Sequence, residues 1–228
     1  MTEEYLRSVP LFQHFHGEDI KRLAEALKEV RIAKGTMLFQ KGEPGDALYI
    51  IKSGKVKIYL SSHLGEEIIL AIFSHGDFLG EISLLDGRPR SAHAVAMEDT
   101  DILTLSREDF SRCLKESREA MGIIINSLCQ RLRKTDDLLE DTCFLKITNR
   151  FAKKLVKLAH DYGHSVGQGV RIDLTLTQKD LAAMIGATRE SVNKQMKILR
   201  EKGMVMMEGH LIYITDMARL KKRALWRE

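Results

Sequence analysis

The chain has 228 residues, 44% hydrophobic and 30% charged, with a formal net charge of +4. That length allows two compact domains or one large one, and no apolar run approaches the ~18–20 residues of a membrane span. The acidic start Met-Thr-Glu-Glu-Tyr lacks a signal peptide's basic-then-apolar layout, so a cytoplasmic protein is expected. Charge is unevenly divided: residues 146–228 hold 17 Lys+Arg against 8 Asp+Glu, a net of +9, whereas residues 1–145 net −5. Such asymmetry suggests that the C-terminal part meets a polyanion. Cys113, Cys129 and Cys143 form no Cys-x-x-Cys and have no histidine at metal-site spacing, which reads as three free thiols, with a redox sensor as the alternative.

Residues Pro10–Val30 read as short helical elements, with Ile20, Leu23, Ala24 and Leu27 spaced i, i+3, i+4, i+7. From Arg31 to about Leu105 the pattern becomes short β-rich runs between glycine turns: Met37–Phe39, Leu48–Ile51, Val56–Leu60, Ile68–Phe73, His93–Met97 and Ile102–Leu105. Strands at roughly ten-residue spacing predict an antiparallel sandwich, roll or barrel. From Ser117 to about Cys143 runs one helical pattern, ~27 residues or ~40 Å at 1.5 Å per residue. Met121, Ile125, Leu128, Leu132 and Leu139 form a heptad seam on it, with Thr135 in the open position. A helix of that length with an apolar seam and charged flanks wants a partner helix, so a homodimer is expected. Helix Asn149–His160, a glycine-rich loop Gly163–Gly169 and an extended run Val170–Leu174 follow.

Thr177-Gln178-Lys179-Asp180 fits a capping box opening a helix to Ile185. Gly186 suits a helix C-terminus, and Thr188 can cap a second helix running to about Lys202. Val192, Met196 and Leu199 would pack on Leu181, Ala182 and Ile185, leaving Arg189, Glu190, Asn193, Lys194 and Lys197 outward. With a hairpin predicted from Met204–Met207 and Leu211–Thr215 around Gly209, this is a winged helix-turn-helix pattern. In that role Arg189 can hold guanine O6 and N7, Glu190 can accept from cytosine N4, and Lys194 can reach a base or a phosphate. The bland alternative is an ordinary solvated helix face.

In the β-rich half, the segment Phe78–Ala92 combines donors for an anion with one acceptor. Gly80 opens a short turn with free N–H groups, Arg90 offers a guanidinium and Ser91 a hydroxyl. Glu81 cannot hold an anion; its natural partner is a sugar hydroxyl. Such a set suits a nucleotide whose phosphate lies against its ribose, and the alternative is a surface Glu81–Arg90 pair on a loop.

Over nearly its full length the chain resembles the CRP/FNR family of bacterial regulators. Gly42-x-x-Gly45-Asp46-x-Leu48-Tyr49-Ile50-Ile51-x-x-Gly54-x-Val56-Lys57 looks like that family's β-roll signature. Gly80-Glu81-Ile82-x-Leu84-Leu85 followed by Pro89-Arg90-Ser91-Ala92 is similar to its phosphate-binding cassette, and Ile185–Val192 to its recognition-helix motif. The resemblance implies an α+β chain: an antiparallel β-roll of double-stranded β-helix type (1–116), a long dimerisation helix with its hinge (117–145) and a winged helix-turn-helix (146–228).

It further implies cyclic AMP as effector, with Glu81 on the ribose hydroxyl and Arg90 and Ser91 on the cyclic phosphate. Gly80, Ile82 and Ser83 complete the cassette, and Arg131, Thr135 and Asp136 contribute from the long helix, the last two on the adenine. Thr177, Gln178, Thr188, Arg189, Glu190, Ser191, Asn193, Lys194 and Lys197 are the implied DNA contacts. The family members most like this chain carry a small hydroxyl residue at the place of Asp136 and arginine at that of Lys194. Implied partners are double-stranded DNA with a pseudo-palindromic operator, a second copy of the chain and RNA polymerase, with no membrane. No cysteine precedes Cys113, which argues against an iron–sulfur branch, and none of the eight histidines is marked as a haem ligand. Gly-x-x-x-x-Gly-Lys-Ser/Thr and His-Glu-x-x-His are both absent, and the Glu81–Arg90 arrangement reads as recognition, so no enzyme is expected. Still open are the same scaffold answering cyclic di-GMP or no ligand, a signalling module, and a thiol-switched repressor.

Overall fold

The computed structural model describes residues 3–167 and 169–226. Two compact units divide it, Met1–Leu60 with Leu70–Lys134, and Ser61–Ile69 with Thr135–Glu228.

The first unit opens with α1 (Glu3–Ser8), a 3-10 turn at Pro10–Phe12 and α2 (Gly17–Ala26). Lys28–Ile32 is then a strand, β1, and not the tail of the expected helical region. It runs antiparallel to β8 (Thr100–Ser106), from Lys28 opposite Thr104 to Ile32 opposite Thr100. Its side chains are mostly exposed, so no apolar alternation announces it. The expected runs all form strands: β2 (Met37–Phe39), β3 (Ala47–Ser53), β4 (Val56–Ser61), β5 (Glu67–Phe73) and β7 (His93–Ala96), with an unforeseen two-residue β6 (Phe78–Leu79). They make two four-stranded sheets, ordered β1-β8-β3-β6 and β2-β7-β4-β5.

Strand β3 shows how the alternation of side chains builds two cores. Leu48 and Ile50 join Leu11, Phe12 and Ile20 from the N-terminal helices and Phe110 from α4 (Arg107–Glu116). Ile51 faces the other way, into a cluster with Phe39, Val56, Phe73, Leu79 and Ala94 drawn from both sheets. Cys113 lies in the helical core, where burial, with Glu116 nearby, pushes its thiol up to about 12. A thiol that stays protonated is a poor redox switch, whereas Cys129 and Cys143 are exposed.

The long helix, α5 (Arg118–Phe144), lies within one residue of its expected limits at each end. Ala120 and Ile124 anchor it in the first unit's core, and Leu128, expected in the seam, packs partly against the same core. The other apolar seam residues remain uncovered: Ile125 is 54% exposed and Leu132 and Leu139 are each 63% exposed.

In the second unit α6 (Ile147–Tyr162) is followed by a hairpin, β9 (Gly163–Val166) and β10 (Gly169–Ile172), where a glycine-rich loop was expected; Gln168 lies outside the described residues. A side chain at Gly163 would run into the Ala159 carbonyl oxygen, so the glycine permits the strand to leave the helix at close backbone approach. Then come α7 (Gln178–Ala183), α8 (Arg189–Glu201), the wing strands β11 (Val205–Glu208) and β12 (Leu211–Ile214), and a last helix, α9 (Met217–Ala224), packed on α6. The sheet order is β11-β12-β10-β9. Among the described residues no helix is long and apolar enough to cross a membrane.

Candidate effector site and nucleic-acid interface

Between β6 and helix α3 (Glu81–Asp86) stands Gly80, in the left-handed region at φ 89°. A Cβ there would meet Arg90 Nη1 at 2.6 Å, and one at Gly45 would run into the Ser83 side chain. Both glycines therefore leave room for a packed guanidinium. Arg90 is 3% exposed. Its Nη1 donates to the Gly80 carbonyl at 2.8 Å and its Nη2 to the Ala47 carbonyl at 2.9 Å. The guanidinium carbon lies 4.5 Å from the Phe39 ring centre and 5.5 Å from that of Tyr49. The nearest carboxylate, Asp46 at 4.0 Å, is largely in solvent. Carbonyl dipoles and ring faces hold this cation, and its buried Nε has no hydrogen-bond partner.

Glu81 is fully buried. Its Oε1 accepts from Arg131 Nη1 at 2.5 Å, while its Oε2 is buried with no partner. Arg131 donates its other arm to the Phe78 carbonyl at 2.5 Å and stacks 4.5 Å above the Phe73 ring. The surface Glu81–Arg90 pair weighed from spacing is thus corrected: both side chains are buried, and the partner of Glu81 comes from 50 residues further along.

Ser83 is buried in this wall, while Ile82 and Ser91 are exposed. Thr135 and Asp136 lie on an exposed stretch of α5 that falls in the second unit. One residue sequence reasoning missed is Arg107. Its guanidinium donates to the carbonyls of Gly45 at 2.6 Å, Ser83 at 3.1 Å and Leu84 at 3.1 Å, which ties the two walls together. Nothing in its spacing signals that role. Among the described residues no cluster of His, Cys, Asp or Glu is placed to hold a metal ion.

In the second unit the capping box forms. Thr177 Oγ1 accepts from the Asp180 amide at 3.1 Å, and Asp180 Oδ2 accepts from the Thr177 amide at 3.1 Å. Thr188 caps α8 by accepting from the Ser191 amide at 3.2 Å. Val192, Met196 and Leu199 are buried as expected, together with Gln195, which accepts from Arg223 at 3.5 Å. Arg189, Glu190, Asn193, Lys194 and Lys197 are all exposed along one side of α8; Ser191 and Gln178 are half-buried, and Thr177 and Thr188 exposed. A cationic face carried by a capped helix and flanked by a hairpin can enter a DNA groove.

Residues 29–117 match the cyclic nucleotide-binding domain family, and residues 149–223 the Crp-like helix-turn-helix domain family. The chain is 34% identical over 222 residues to the CRP-like cAMP-activated global transcriptional regulator of Mycobacterium tuberculosis, covering 97% of this chain and 99% of that one. It is 32% identical over 219 residues to the cyclic AMP receptor protein of Thermus thermophilus, covering 96% and 98%. Among solved structures, CooA from Carboxydothermus hydrogenoformans superposes with a TM-score of 0.77 at 25% identity, over 89% of this chain and 90% of that one. The domains and relatives are those of transcription regulators and not of enzymes.

Proposed function

Because this chain belongs to the CRP/FNR family of DNA-binding transcription regulators, we propose that it acts as a homodimer whose operator affinity is set by cyclic AMP. One observation carries the effector: two buried side chains of opposite charge, each with an unpartnered polar atom, Glu81 Oε2 and Arg90 Nε. Buried polar atoms rarely stay unpaired. A cyclic phosphate supplies an acceptor for Arg90, and a ribose hydroxyl supplies a donor for Glu81.

The sensor then comprises 1–116, the dimerisation helix and hinge 117–145, and the reading head 146–228. The exposed Ile125, Leu132 and Leu139 are covered by the same helix of a second copy. The family resemblance assigns the base contact to Thr135 and Asp136. A carboxylate accepts hydrogen bonds and donates none, so Asp136 can take one from the adenine amino group. Cyclic AMP shifts the dimer only as far as it binds the DNA-competent state more tightly. The hinge at Phe144–Leu145 then aims both heads at half-sites about 34–36 Å apart, on a pseudo-palindromic operator. The regulator works in the cytoplasm, through RNA polymerase.

Calorimetry of the full chain with cyclic AMP, cyclic GMP and cyclic di-GMP tests the effector. Cyclic AMP is expected to bind more tightly than cyclic GMP or cyclic di-GMP. Saturable binding of cyclic di-GMP alone would transfer control to that nucleotide. Absence of heat with all three would remove nucleotide control.

A further inference from the structure

The second unit buries a cation that has no carboxylate partner among the described residues. Arg150, near the start of α6, is 7% exposed. Its Nη1 donates to the Thr142 carbonyl at 3.1 Å, in the last turn of α5, and its Nη2 donates to the Gly186 carbonyl at 3.3 Å, in the turn between α7 and α8. Its Nε is buried with no hydrogen-bond partner.

Stability alone gives little reason for such an arrangement. A buried charge is costly beside an apolar side chain of similar size, even when it is hydrogen-bonded. Nor does α6 need this residue to stay in place. Lys153 already ties it to α5 through Asp141 at 2.6 Å, and Phe151, Leu155, Val156 and Leu158 bury its apolar face. What the guanidinium adds is a rigid planar fork, whose two arms keep the carbonyls at the end of the long helix and in the helix-turn-helix at one fixed separation. Gly186 is left-handed at φ 56° and lies just ahead of the cap residue Thr188. Displacement of this turn therefore passes directly to the N-terminus of α8, where Arg189 and Glu190 are presented.

We propose that Arg150 is a positioning residue for DNA recognition, transmitting the setting of the long helix to the turn that aims the recognition helix. Its part in effector control rests on the function proposed above. Methionine at this position keeps the apolar stem and removes both arms, while lysine keeps the charge and one compact donor group.

The test uses the full-length wild type, Arg150→Met and Arg150→Lys. An operator is first enriched from a random duplex library by the wild type with cyclic AMP. Affinities for this operator and a scrambled duplex are then measured at one salt concentration, with and without cyclic AMP, beside calorimetry of the nucleotide. Expected for Arg150→Met are cyclic AMP and scrambled-duplex affinities within twofold of wild type. Its operator preference should fall at least tenfold, and its gain from cyclic AMP should shrink to less than twofold. Arg150→Lys should recover part of both. An Arg150→Met protein with wild-type preference and gain overturns the proposal, as does one that loses operator and scrambled DNA equally. If Arg150→Met does not fold, a folded Arg150→Lys with full preference and gain overturns it instead. A wild type that enriches no sequence overturns the proposed function and this inference together; enrichment with an indifferent Arg150→Met overturns this inference alone.

Discussion

Replacing Arg90 with leucine is expected to weaken cyclic AMP binding at least about thirtyfold while leaving the chain folded. At 3% exposure its guanidinium sits in a poorly screened environment, where its attraction for the phosphate of the proposed effector is strong. Truncating one partner of a buried charge pair costs about 2–5 kcal/mol, and about 1.4 kcal/mol is one decade of affinity. Leucine keeps the apolar contact with Phe39 and Tyr49 and removes a costly buried cation, which offsets part of the loss of its hydrogen bonds to the Gly80 and Ala47 carbonyls. Calorimetry reads the affinity directly. A melting series gives a second readout, because a ligand that binds only the folded state raises Tm with its concentration. The wild type should show that rise with cyclic AMP and the variant should not. An Arg90→Leu protein binding within fivefold of wild type would place the phosphate elsewhere.

The second large effect is expected at Arg189. It is exposed at the first position of α8, behind the Thr188 cap, where side chains of a recognition helix meet base edges. A bidentate arginine–guanine contact contributes about 1–3 kcal/mol of discrimination. Arg189→Ala should therefore lose about ten- to a hundredfold in operator affinity and relax the preference at a single base pair, with little change on scrambled DNA. Lys197, one exposed face further along and only loosely paired with Glu201 at 3.8 Å, supplies the contrast. Its replacement by alanine should weaken every duplex alike and lower the salt slope by about 1, as expected for a phosphate contact. Equal losses on operator and scrambled DNA for Arg189→Ala would demote it to a phosphate contact.

What the sequence made legible was whatever a local pattern encodes. Thr177 through Asp180, Gly186 and Thr188 are capping and turn chemistry a few residues wide, and both caps form as read. The β3 run was visible because a buried strand concentrates branched and aromatic side chains, and α5 because nothing in 27 residues interrupts it. The wall of the candidate effector site was only half legible. Glu81 and Arg90 stood out as chemistry, yet their burial and the Arg131 partner depend on contacts that span the chain. Arg107 and Arg150 escaped altogether, because each serves backbone carbonyls, and a carbonyl is present at every position. Strand β1 escaped for another reason: it is exposed and charged, so pairing with β8 defines it where side-chain pattern does not.

The most direct measurement is a titration of an enriched operator duplex with the full chain at one stated salt concentration, with and without cyclic AMP. Two chains per duplex, and at least tenfold tighter binding with the nucleotide, are expected. Operator and scrambled duplexes bound equally well under both conditions would contradict effector-controlled reading of DNA by a dimer.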